Sequence, residues 1–236
     1  MYYSYVALFL QSAPGRSAMP YRIDPVLLDA DLALYVHIPF CTRRCTYCAF
    51  NTYTGLDRLI PAYVESLCHE IHWVGNATGK RLTLHTVYLG GGTPSVLSVE
   101  QIEKILQTVR AAFAVRDSAE ITLEANPVRL EPGYLAGLRR LGVSRLSLGA
   151  QSAQASDLKL FNRGHAWSDV VVAVQSARAA GFDNLNLDLI YGVPDQSLAS
   201  WQDSLIKTVA LRPDHISLYS LGIETGTPLH RWVEAG

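Results

Sequence analysis

The sequence carries no surplus of either charge, with 20 Lys and Arg set against 21 Asp and Glu in 236 residues. That balance removes the bulk electrostatic case for a nucleic-acid partner or an anionic membrane surface. An apolar stretch near the amino terminus, residues 2–10, is too short to span a bilayer and lacks the basic flank of a secretory signal. Cysteine is scarce, with 4 in the chain, and three of these lie between positions 41 and 48. An odd group of three, with no other sign of a small stapled scaffold, argues against a disulfide framework. What is plentiful is core material: 49% of the residues are hydrophobic, and the length suits one large α/β domain.

The three clustered cysteines are spaced C-x3-C-x2-C, as Cys41, Cys45 and Cys48, directly after the apolar run 33–38 and Pro39. On one tight loop this spacing can bring three thiolates to a common place, and thiolates select zinc, copper(I) or iron–sulfur clusters. Structural zinc wants four ligands, so a closed site would need His37 or Cys68 as the fourth. His37 belongs to the strand before the loop. Cys68 falls on the apolar stripe of the next helix, where a core thiol is the economical reading. A cubane held by three cysteines leaves one iron open to a small molecule, which is what a catalytic site requires.

Downstream, strand and helix patterns alternate. Residues 57–74 form a helix by their three-and-four apolar spacing, with His69 and His72 on a solvated face beside the stripe. Strands are predicted at 33–38, 85–89, 120–124, 145–149, 184–190 and 215–221. Helices are predicted from Ser98, where Gln101 completes a capping box, and at 134–141, 155–160, 168–180 and 199–211. Six strands alternating with helices predict a parallel sheet closed, or partly closed, into a (β/α)6 TIM-like barrel. Glu124, Gln151, Asp188 and Tyr219–Ser220 stand at or beyond the carboxyl ends of successive strands, as do the cysteine loop and the triple glycine Gly90–Gly92. In such a barrel those ends share one face, where substrates bind. Each carboxylate could instead be a cap or an ion-pair member, and that account weakens as strand after strand supplies one.

The cysteine spacing with Tyr47 between the second and third cysteines resembles the radical S-adenosylmethionine (SAM) superfamily. The segment Tyr35-Val-His-Ile-Pro-Phe-Cys41 resembles the branch that holds oxygen-independent coproporphyrinogen III oxidases and heme chaperones of the HemW type. The resemblance covers residues 32–228. It implies a [4Fe–4S] cluster ligated by Cys41, Cys45 and Cys48, with SAM completing the open iron and Tyr35 and Tyr47 flanking both. Gly91, Gly92 and Thr93 then hold the methionine end of SAM. Glu124, Gln151, Arg163 and Asp188 supply polar contacts to it, and Ser220 meets the adenosine through its backbone. For Arg163 a surface position in Asn162-Arg-Gly-His165 is the competing reading. In such proteins one electron from the reduced cluster cleaves the sulfonium and yields a 5′-deoxyadenosyl radical.

Oxidases of the branch carry a fourth cysteine two residues after the third, and here Phe50 stands there. The segments Leu123-Glu-Ala-Asn-Pro127, Ser147-Leu-Gly-Ala-Gln-Ser152 and Asp188-Leu-Ile-Tyr-Gly-Val-Pro194 resemble the chaperone side as well. The resemblance therefore implies a protein that carries heme as cargo to an acceptor protein. The alternative is an enzyme decarboxylating a porphyrinogen. His37, His85, His165 and His215 each offer a nitrogen to heme iron, and none is singled out. A flavodoxin-like reductant and a cytoplasmic location are further expectations. Residues 1–30 are an extension outside the pattern, read as a start drawn upstream of Met19, a peripheral strand or a disordered arm. Residues 31–228 are the core barrel. Residues 229–236 begin a further carboxy-terminal region, with no closing element expected after the Gly226-Thr-Pro228 turn.

Overall fold

The computed structural model describes residues 5–7, 32–77, 81–128 and 130–235. The six expected strands form: β2 (Leu32–Ile38), β5 (Thr83–Gly91), β6 (Ala114–Ala125), β7 (Arg145–Gln151), β8 (Asn184–Tyr191) and β9 (His215–Ser220). A short strand β1 (Tyr5–Ala7) pairs in parallel with Ala33–Tyr35 at the sheet edge. The rest of the amino-terminal extension lies outside the described residues. All neighbours pair in parallel in the order β1-β2-β5-β6-β7-β8-β9. Each crossover therefore steps to the next strand in the same direction. A doubly wound sheet would reverse once at a switch point; a sheet that never reverses keeps its helices on one face and curls into part of a barrel.

The helices on that convex face are α1 (Ile60–Asn76), α2 (Val99–Ala112), α3 (Pro132–Arg140), α5 (Trp167–Ala179) and α6 (Leu198–Ala210), while the short α4 (Ala155–Leu160) after β7 contributes nothing to the main core. Ser98 and Gln101 start α2 with the expected capping box, each side chain accepting the other's backbone N–H. The stripe Val64, Leu67, Cys68, Ile71 and Val74 of α1 is buried, which makes Cys68 a core thiol, while His69 and His72 are exposed. At Gly75 an added Cβ would stand 2.6 Å from the Ala112 Cβ, so glycine lets α1 and α2 close on each other.

Strand alternation sorts the residues. Leu34, Val36, Val87, Leu89, Leu123, Leu146, Leu148, Leu185 and Leu187 face the helices in the core. The intervening Tyr88, Glu124, Ser147, Asn186, Asp188 and Ser217 hydrogen-bond within this set on the concave face, where Tyr35 stacks on Tyr88. Parallel strands are normally apolar on both faces. The polar alternation in Asn184-Leu-Asn-Leu-Asp-Leu marks a strand whose inner face lines a site.

The carboxy-terminal segment departs from expectation. Residues after the Gly226 turn form a helix, α7 (Pro228–Ala235), whose Leu229 is buried and donates its backbone N–H to Thr46 O at 3.0 Å. Pro228 at the first helical position is pre-set for helix entry, and burial of Leu229 supplies the anchor that the sequence pattern did not reveal.

Candidate functional site

Two short strands, β3 (Phe40–Cys41) and β4 (Tyr53–Thr54), pair in parallel and bring the two ends of the cysteine loop together. Tyr53 N–H donates to Pro39 O at 2.7 Å, closing the same junction. Inside the loop, Thr46 is clamped from two sides. Its N–H and hydroxyl donate to Phe161 O and Leu160 O at 3.2 and 2.8 Å, while its carbonyl accepts from Leu229. Asn162 Nδ2 donates to Arg44 O at 3.0 Å. The loop therefore leans on the end of α4 and the start of α7.

His37 is a structural strut. Its Nε2 donates to Asn51 O at 2.9 Å, so Nδ1 carries the lone pair and accepts the Tyr35 hydroxyl at 3.1 Å. Both nitrogens are thereby used, and with Cys68 in the core neither candidate fourth ligand completes a zinc site. Among the described residues no three His, Cys, Asp or Glu side chains stand close enough to share one metal ion. Cys41, Cys45 and Cys48 are nevertheless near enough to feel one another's charge. Thiolates that are neighbours without sharing one ligand point fit a polynuclear group, in which each iron takes its own sulfur. Burial pushes the Cys41 thiol up, opposed by the Thr93 hydroxyl, and the negative charge on Cys48 and Cys45 adds to the rise.

The triple glycine has a separate steric reason at each position. An added Cβ at Gly90 would meet Tyr88 at 2.7 Å, Tyr35 at 3.0 Å and Glu124 at 3.1 Å. Gly91 has φ +115° and packs on the His37 ring, with 2.5 Å left for a Cβ. At Gly92 a Cβ would strike Phe40 O at 2.7 Å and Cys41 Sγ at 3.0 Å. The glycine loop thus lies flat against the cysteine loop, and Thr93 Oγ1 donates to Cys41 Sγ at 3.4 Å.

Around this junction the concave face holds two half-buried carboxyls. Glu124 accepts the Tyr88 hydroxyl at 2.7 Å and Gly91 N–H at 2.9 Å; burial still raises its pKa, with Asp188 adding to the rise. Asp188 accepts from Asn186 Nδ2 at 2.7 Å and Ser147 Oγ at 3.2 Å, and burial raises it too. Tyr35, stacked on Tyr88, is pushed up to about 12 by burial and by Glu124. No cation bonds directly to either carboxylate among the described residues, which suits the pair to a positively charged ligand.

Arg163 is half-buried, and its guanidinium reaches Cys45 Sγ at 3.3 Å, Gly149 O at 2.8 Å and Asn126 Oδ1. Gln151 closes β7 with φ +68°, a left-handed conformation uncommon outside glycine, and its amide crowds the same Gly149. Tyr47 packs edge-on to Phe161 at 5.1 Å; burial, then the charge of Cys45, raises its hydroxyl. Ser220 sits at the carboxyl end of β9 but is exposed and outside this bonded group. Asn126, Tyr88 and Asn186 join the site without having been singled out from sequence. Their only signal was position, since each lies in or beside a strand end that already carried a candidate.

Of the four histidines, His165 is buried, held by Ala150 O, and pushed down to about 4 by burial. His215 Nδ1 bonds Asn186 Oδ1, and His85 is half-buried with no partner for Nδ1. Phe50 is 69% exposed at the loop's outer edge.

Residues 35–206 match the family model described as the radical SAM superfamily. The heme chaperone HemW of Synechocystis sp. is 39% identical over 210 residues, covering 86% of this chain and 50% of that protein. The oxygen-independent coproporphyrinogen III oxidase of the same organism is 35% identical over 190 residues, covering 80% of this chain and 41% of that protein. The solved structure of coproporphyrinogen III oxidase HemN from Escherichia coli superposes with a TM-score of 0.79 at 32% identity, over 85% of this chain and 46% of that one. The chain thus spans about half the length of the relatives it matches. With the cysteine loop, the glycine loop and strands β5 to β8 inside the matched segment, the chain belongs to the radical SAM superfamily.

Proposed function

We propose that the protein is a heme-binding and heme-delivering chaperone of the HemW kind, built on a cluster-bearing SAM core. Cys41, Cys45 and Cys48 hold the [4Fe–4S] cluster. Gly91, Gly92, Thr93, Glu124, Gln151, Arg163 and Asp188 bind SAM, with Tyr35 and Tyr47 at its flanks and Ser220 meeting the adenosine end through its backbone. When bound, the cluster and SAM together supply one-electron cleavage of a sulfonium bond. The chain's own contribution is electrostatic and steric. Glu124 and Asp188 present half-buried negative charge to a cationic ligand, the glycines let that ligand lie against backbone, and Arg163 offsets charge at Cys45. Heme or a porphyrinogen is the cargo, an acceptor protein receives it, and a flavodoxin-like donor supplies electrons. A reducing compartment such as the cytoplasm suits the free thiols. No helix among the described residues is long and apolar enough to cross a membrane.

The observation that carries the chaperone reading is Phe50, an exposed aromatic at the position of the oxidases' fourth cysteine. The likeness to HemN favours the oxidase as second reading. Anaerobically reconstituted protein, extended to the length of its relatives, is incubated with reductant, SAM and coproporphyrinogen III, and in parallel with heme. Unchanged porphyrinogen with stoichiometric heme retention is expected. Protoporphyrinogen formed in step with 5′-deoxyadenosine would establish the oxidase instead. Cys45→Ala should lose iron and sulfide, and a full complement in that variant would overturn the cluster assignment.

A further inference from the structure

Asn126 stands between the two loops and joins two cysteine sulfurs through four hydrogen bonds. Arg163 Nη2 donates to Asn126 Oδ1, and Arg163 Nη1 donates to Cys45 Sγ at 3.3 Å. On the other side Asn126 Nδ2 donates to Thr93 Oγ1 at 3.3 Å, and Thr93 Oγ1 donates to Cys41 Sγ at 3.4 Å. The direction of every bond follows from one fact. A guanidinium has only donors, so the Asn126 atom facing it must be the oxygen, and the amide nitrogen must face Thr93. Thr93 Oγ1 then accepts from Asn126, which turns its single proton toward Cys41. The backbone of Asn126 is held as well, its N–H reaching Ser95 Oγ at 3.4 Å, so the amide is oriented from both ends.

We infer that Asn126 is a positioning residue that aims two hydrogen-bond donors, Thr93 and Arg163, at the sulfurs of Cys41 and Cys45 and thereby sets the reduction potential of the cluster they hold. The inference rests on the cluster reading above. A donor on a thiolate sulfur stabilises the more negative, reduced state of an iron–sulfur centre, so removing donors makes reduction harder. Asn126 touches neither sulfur. Its effect passes through the rotor of Thr93 and the fork of Arg163.

The test is an EPR-monitored redox titration of the reconstituted protein without SAM, alongside iron content and thermal melting. Asn126→Ala should keep its iron yet show a reduced-cluster fraction about tenfold lower at fixed ambient potential, a shift of about 59 mV for a one-electron couple. Thr93→Val, which removes the proton donor at Cys41 with little change of shape, should shift the potential in the same direction by less. In the Asn126→Ala background Thr93→Val should add little, because Thr93 has already lost the partner that aims it. Should Asn126→Ala fail to hold iron, the Thr93→Val titration decides the case. Full iron with an unmoved potential in the variants would overturn the inference while leaving the cluster reading intact. Iron retained in Cys45→Ala would remove the reading beneath it.

Discussion

The carboxylate of Glu124 accepts the backbone N–H of Gly91 at 2.9 Å, tying the end of β6 to the glycine run that ends β5. The bond satisfies one lone pair, but burial still leaves the carboxyl harder to ionise than usual. A carboxyl whose folded-state pKa is raised binds its proton more tightly in the folded chain, so stability falls as pH rises from the ordinary carboxylate range through the raised value. His165, pushed down to about 4, contributes the opposite trend, but through Glu124 the ligand-free protein loses stability as pH climbs above about 4. Asp188 acts in the same direction. Glu124→Gln should flatten part of that slope and weaken SAM binding, read by melts across pH and by calorimetric titration. A slope identical in the variant would assign the pH dependence to other groups.

Gly91→Ala should destabilise the protein. The backbone there has φ +115° and the new methyl carbon would sit 2.5 Å from the His37 ring. Strain of this kind costs about 1–3 kcal/mol, and the melting temperature of a chain this size moves about 2–4 °C per kcal/mol. The displaced His37 would also release Asn51 O, so cluster reconstitution should become less complete. A variant with wild-type melting and full iron would show that the loop accommodates the methyl group without strain.

Leu229→Ala tests whether α7 braces the cysteine loop. Leu229 is buried and its N–H bonds Thr46 O. Truncating a buried leucine costs about 2–5 kcal/mol. Slower iron uptake should accompany the lower melting temperature, because an α7 that has lost its buried anchor holds the Thr46 carbonyl less firmly. Unaltered reconstitution kinetics in a destabilised variant would confine α7 to a packing role.

The strands were legible because a half-buried strand must alternate, and here one side of the alternation is leucine and valine while the other is tyrosine, glutamate, asparagine and aspartate. Boundaries were less so. β6 begins at Ala114, well before residue 120, because its first residues pair with Thr83 and Leu84 across an irregularity in the ladder. That pairing leaves no periodic signature in Ala-Val-Arg-Asp-Ser-Ala. The helix α7 was invisible for a related reason: its anchor is a contact with a loop more than 180 positions earlier in the sequence.

By itself the sequence determined the chemistry available: three thiols on one loop, a run of glycines after a strand, and a polar residue at nearly every strand end. Spacing along the chain suffices for these, since loop reach and strand period are local properties. Only the tertiary structure decided which polar residues meet. It turned Arg163 inward to Cys45, spent both nitrogens of His37 on Tyr35 and Asn51, left Ser220 outside, and set Asn126 between Thr93 and Arg163. The register between parallel strands and the curl of an unreversed sheet fix those meetings, and neither is written in any single segment of the chain.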